Sequence, residues 1–174
     1  RLIDRRYAQT IGDAIQSESK ASVVDYQKSA SKTGAPLPFK LSDVQSRVDS
    51  KLGCGVQAVL DACQSLYEKG HLSYPRTDCC YLPKSQHGDG PRVLAAIKSC
   101  LPGLGPMVDD AHLELVSKAW NDDKLGEHHA IIPTGVAPSF SGMSLTEQTV
   151  YSIVAQRYLA QFYPECLADK VKII

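Results

Sequence analysis

The chain has 174 residues, 43% of them hydrophobic and 22% charged, a balance that calls for a packed core rather than disorder. No apolar run approaches the ~18 residues of a membrane helix and no signal-peptide pattern is present, so a soluble domain is expected. Its 19 basic and 19 acidic side chains cancel, which argues against holding nucleic acid through bulk charge.

In chain order, Tyr7, Ile11, Ala14 and Ile15 recur at helical spacing and predict a helix over residues 5–17. Ala21–Gln27 reads as a strand and the proline-broken stretch Lys28–Pro38 as a linker. Ser42 and Gln45 have capping-box spacing ahead of Val44, Val48 and Leu52, with Gly53 as the stop. A stronger apolar stripe follows, through Val56, Val59, Leu60, Cys63, Leu66 and Tyr67, and ends at Lys69-Gly70. Short helices are expected over Pro91–Cys100 and Asp110–Ala119. A long one starts near Ser144–Glu147, turns Val150, Ile153, Val154, Leu159 and Phe162 inward, and stops before Pro164. A strand begins again near Asp169, and the alternating end Val171–Ile174, with no Met at position 1, suggests a piece of a longer protein.

The fold class is therefore α+β: mainly α with flanking β. Residues 1–35 read as a strand-bearing piece with a linker, 36–165 as a helical domain, and 166–174 as a return strand into the first piece. Basic residues outnumber acidic ones nine to six over 1–51, and the excess reverses to five against nine over 109–174. The six cysteines (54, 63, 79, 80, 100 and 166) have neither a Cys-x-x-Cys pair nor a framework spacing. They read as free thiols of a reducing cytoplasm.

Two segments bring reactive groups together. In His71-Leu72-Ser73-Tyr74-Pro75-Arg76-Thr77-Asp78, Pro75 pushes Tyr74 into an extended conformation. Residues two apart in an extended chain share a face, which would set Arg76 beside Tyr74. A guanidinium there favours the phenolate and grips a phosphate with two hydrogen bonds. From the local pattern alone, a packed tyrosine next to a surface arginine is the commoner arrangement. The second segment is Glu127-His128-His129-Ala130-Ile131-Ile132-Pro133-Thr134, a buried extended run with polar groups at its mouth. Alternation sends the two histidines to opposite sides, so one of them is expected to face a site, either as a phosphate ligand or proton carrier or as a purely structural histidine. No third ligand at a usual spacing supports zinc.

Taken together with Pro36–Gln45, and in this order and spacing, Leu72–Pro83 and Glu127–Thr134 resemble the type IA DNA topoisomerases, in particular the bacterial topoisomerase III branch. The likeness runs over residues 20–165. It implies an isomerase in which Tyr74 is the nucleophile, cutting single-stranded DNA through a 5′-phosphotyrosine and releasing a 3′-hydroxyl before strand passage and religation. Arg76 then contacts the scissile phosphate and His128 is the active-site histidine, His129 lying where the family varies. Thr77, Asp78 and Thr134 fall in the same motifs as DNA contacts. The family holds Mg²⁺ on an acidic cluster of a separate Toprim domain. Asp109-Asp110 and Asp122-Asp123 lack its spacing, so no cofactor is expected on this chain, and the Toprim and other domains of the parent chain are expected as partners. No P-loop for ATP is present. Three competing readings are a helical DNA-binding module without catalysis, a hydrolase using Cys79 or Cys80 with a histidine, and a conjugative relaxase. The last lacks its histidine triplet.

Overall fold

The computed structural model describes residues 4–18 and 22–174. They form two compact units, Arg1–Thr33 with Leu167–Ile174, and Gly34–Cys166. The first contains helix α1 (Arg5–Ser17) and strands β1 (Tyr26–Thr33) and β2 (Cys166–Ile173). Asp4 caps α1, its carboxylate accepting from the Arg6 and Tyr7 amides. The strands form a two-stranded ribbon. It is antiparallel, because Asp25 and Ile174 exchange both backbone hydrogen bonds at 3.0 Å. Neither the helix nor the ribbon has a buried residue. The strand expected over Ala21–Gln27 thus lies later, and half of the expected linker is strand. Ala21 itself is outside the described residues. Lys28, read as a linker residue, instead pairs with Asp169 across the ribbon at 2.8 Å.

The second unit contains α2 (Leu41–Leu52), α3 (Val56–Glu68), α4 (Gly90–Cys100), α5 (Gly105–Asp109) and α6 (Leu145–Leu159). Helix α6 is its axis. Glu147, Thr149, Val150, Tyr151, Val154, Ala155, Tyr158 and Leu159 are all buried, so the helix has no single wet face. Ile153 is only half-buried. The expected cap is present, with the Ser144 hydroxyl and Glu147 carboxylate bonding reciprocally to each other's backbone amides. Glu147 also accepts from Ser65 at 2.7 Å and Lys69 at 2.8 Å, tying α3 to α6.

Two expectations fail where tertiary hydrogen bonds replace local ones. Helix α2 starts before Ser42, because the Leu41 amide donates to Thr77 O at 3.0 Å. Its N-cap is Lys40 with no side-chain cap, and Gln45 Nε2 donates instead to Val56 O at 3.0 Å, so the Ser42/Gln45 capping box does not form. Asp110–Ala119 is irregular rather than helical. The His112 amide is taken by Phe162 O at 2.9 Å, and Leu115 O is met by the His87 ring at 3.0 Å.

Candidate functional site: a tyrosine held between a histidine and a second tyrosine

The three motifs read along the sequence meet in space. Phe39 bridges to Ile131 and Leu72 to Pro133, both antiparallel, and the first residue of α2 is bonded to Thr77. The segment carrying Tyr74 is fastened to the histidine segment by Ser73 N–H to Ile132 O at 2.9 Å and Thr134 N–H to His71 O at 3.0 Å. The Ser73 hydroxyl adds two more bonds, donating to Ala130 O at 3.1 Å and accepting from Ile132 N at 2.9 Å. Leu72, Ala130, Ile131 and Ile132 are buried, which makes this pair of extended segments a rigid shelf.

Tyr74 stands at the edge of that shelf, half-buried. Its ring lies 4.6 Å from that of His128 at 54°, and 5.4 Å from that of Tyr67 in an edge-to-face contact at 78°. His128 is exposed, and Arg76 is exposed with no ion pair among the described residues. Past Pro75 the backbone is not fully extended as expected. The Thr77 amide donates back to Pro75 O at 3.0 Å, closing a three-residue turn centred on Arg76. Thr77 is buried. Its hydroxyl accepts from the Cys79 amide at 3.0 Å and donates to His128 O at 3.4 Å, linking the turn to the histidine. Asp78 is exposed, and the Thr134 hydroxyl accepts from the Val136 amide at 3.1 Å and donates to Gly70 O. The two histidines do part company: the His129 ring Nδ1 sits 2.7 Å from Ala130 O, and the ring lines a cleft with Ser73 and Arg92.

A family model described as DNA topoisomerase matches residues 1–174. The chain belongs to the DNA topoisomerase family. It is 41% identical to a DNA topoisomerase 3 of Vibrio cholerae over 175 residues, covering all of this chain and 27% of that protein. It is 36% identical to a DNA topoisomerase 3 of Haemophilus influenzae over 174 residues, 26% of that protein. The chain thus spans about a quarter of the length of the curated topoisomerases it matches. A full-length topoisomerase I from Thermotoga maritima shares the fold, with a TM-score of 0.66 at 20% identity, over 99% of this chain and 27% of that one.

Within this topoisomerase segment, Tyr67 belongs to the site rather than to the expected core stripe: it is 40% exposed and packs on Tyr74. Leu66 is fully buried, and successive helical residues do not face the same way, which was the available signal. All six cysteines are free. The Cys80 thiol is pushed up by burial and by the Asp43 carboxylate, the wrong direction for a thiolate nucleophile. Among the described residues no three His, Cys, Asp or Glu side chains gather to hold a metal. These side chains by themselves do not form a carboxylate cage for Mg²⁺. Among the described residues no helix is long and apolar enough to cross a membrane.

Proposed function

We propose that this chain is the tyrosine-bearing segment of a type IA topoisomerase that cuts and rejoins single-stranded DNA through Tyr74. The observation that carries the reading is Tyr74 set on a hydrogen-bonded shelf between His128 and Tyr67, with an exposed arginine two residues on. The Tyr74 Oη attacks a phosphodiester and its proton leaves to His128 or water. The new Tyr–O–P bond replaces the P–O3′ bond, and the departing 3′-oxygen takes up a proton. Arg76 meets the growing charge on the phosphate oxygens through paired N–H donors. Religation reverses these steps, so the bond energy stays in the phosphotyrosine and no ATP is consumed. Thr77 orients His128 through its carbonyl, while Asp78 and Thr134 stand in the same two motifs as further DNA contacts. Mg²⁺ is assigned to an acidic Toprim cluster in another part of the protein, which acts on DNA in the cytoplasm.

The test uses the complete protein carrying this chain, with labelled single-stranded DNA, denatured after incubation. Wild type should yield a 5′-linked adduct. Tyr74→Phe should yield none yet bind the strand within about twofold, since the ring still packs on its neighbours. An adduct surviving in Tyr74→Phe would move the nucleophile elsewhere, with Tyr81 next to be tried.

A further inference from the structure

A cleft of about 170 Å³ lies behind the tyrosine shelf, lined by Ser73, Gln86, Asp89, Arg92, His129 and Tyr158 among others. Its position follows from the alternation of the shelf. Tyr74 and His128 meet on one side, while their chain neighbours Ser73 and His129 line the cleft. The cleft is therefore one residue along the chain from Tyr74 on one extended segment and from His128 on the other.

Its chemistry is that of a flat ring with a polar edge. Tyr158 is 1% exposed and lines the wall of the cleft, placing an aromatic ring with a polar hydroxyl there. Further wall comes from apolar side chains. Around the mouth, the Arg92 guanidinium touches Asp89 Oδ1 at a loose 3.3 Å with both side chains more than half exposed, so most of its N–H donors are free. When the His129 Nδ1–H donates to Ala130 O, Nε2 is left as an acceptor. Gln86 supplies one group of each kind. A bare phosphate would suit Arg92 but is repelled by the Asp89 carboxylate. A nucleobase presents donors and acceptors on its edge and a π-face to the wall, and matches both.

We propose that this cleft takes one base of the cut strand, flanking the phosphate attacked by Tyr74, and so sets where the strand is cut. The inference rests on the reading of Tyr74 as the nucleophile. Gly135 offers a probe that removes no polar group. A Cβ there would lie 2.8 Å from Arg92 Cζ and 2.9 Å from its Cγ, so Gly135→Ala must push the guanidinium out of place.

The test measures the Tyr74-linked adduct formed by the complete protein on a single strand with one mapped cut. Each flanking base is then replaced in turn by an abasic sugar that keeps every phosphate. One abasic position beside the cut should lower the wild-type yield roughly tenfold, the scale of one lost base contact. Arg92→Ala and Gly135→Ala should lower the yield on the intact strand by a similar factor and be indifferent to that same abasic position. Thermal unfolding of both variants guards against misfolding, and Gln86→Ala gives a milder third variant. If wild type and variants respond in parallel to every abasic position, or if the variants cut the intact strand like wild type, the base site is refuted while Tyr74 stands. If wild type forms no adduct on the intact strand, the parent reading fails and takes the base site with it.

Discussion

Tyr74 owes its setting to residues that do no chemistry. Ser73 fastens its backbone with two side-chain hydrogen bonds, and Tyr67 and His128 hold its ring from two sides. In Tyr67→Ala the edge contact is lost, and cleavage in the complete protein should fall by roughly fivefold to tenfold, the worth of one aromatic pair. Tyr67→Phe should restore it, and equal loss in both variants would show that the hydroxyl, not the ring, matters. Arg76 is free of ion pairs among the described residues, so Arg76→Lys removes no structural contact. It should still lower cleavage about tenfold or more, because an ammonium cannot copy a planar two-bond grip. Cleavage within twofold of wild type would dismiss that role. His128→Ala should reduce the cleavage rate more than His129→Ala, since only His128 lies against the Tyr74 ring.

The helices depend on a small number of contacts between elements. Glu147 is the most consequential, joining the cap of α6 to Ser65 and Lys69 on α3. The hydrogen bond from Lys69, aided by Ser144 and Ser65 and opposed by burial, holds its carboxyl down at about 2, against an ordinary 4.5. A depressed carboxyl contributes fully above its unfolded value and loses that contribution as pH falls from about 4.5 toward about 2. Glu147→Gln should therefore cost roughly 1–3 kcal/mol at neutral pH and flatten the loss of stability between pH 5 and pH 2, read from urea midpoints. Tyr151 presents the opposite case. Its hydroxyl is buried without a partner, and burial, with Cys100 nearby, pushes its titration far up. Tyr151→Phe should be neutral or stabilising by up to about 1 kcal/mol. At the start of α4, a Cβ on Gly90 would reach within 2.8 Å of the Phe162 ring, itself fully buried. Gly90→Ala should cost about 1–3 kcal/mol through overpacking.

Across the molecule, stability is unevenly spread. The Gly34–Cys166 unit contains the whole buried core, whereas α1 and the β1–β2 ribbon bury nothing among the described residues. Amide exchange should thus be slowest in α3 and α6 and much faster in α1 and the ribbon. Comparable protection in both would mean that the apolar face of α1 is covered in solution. The isolated chain should fold cooperatively yet form no covalent complex with single-stranded DNA. It has few cations placed near Tyr74, and a site missing half its electrostatic groups loses on the order of a thousandfold in rate. With 19 charges of each sign, its binding to DNA should be weak and salt-sensitive. A clear adduct from the isolated chain with Mg²⁺ would overturn this.

What could be read from the residues alone was what local chemistry decides. Gly53 in the left-handed conformation ends α2, Ser144 and Glu147 cap α6, and the order of the three motifs points to the topoisomerase family, because these depend on spacing along the chain. Whatever depended on distant partners was not readable. Thr77, nearly forty residues downstream, starts α2 and displaces the expected capping box. Phe162 takes the amide that would have made Asp110–Ala119 helical, and the pairing of β1 with β2 turns half of a polar linker into strand. The same holds at the site. The nucleophile candidate and its arginine were visible as letters, but the turn at Arg76, the Tyr67 contact and the cleft behind Ser73 exist only once α3, α4 and the two extended segments have packed. A backbone amide or an aromatic ring takes the best partner within reach, and only the tertiary fold determines which partners those are.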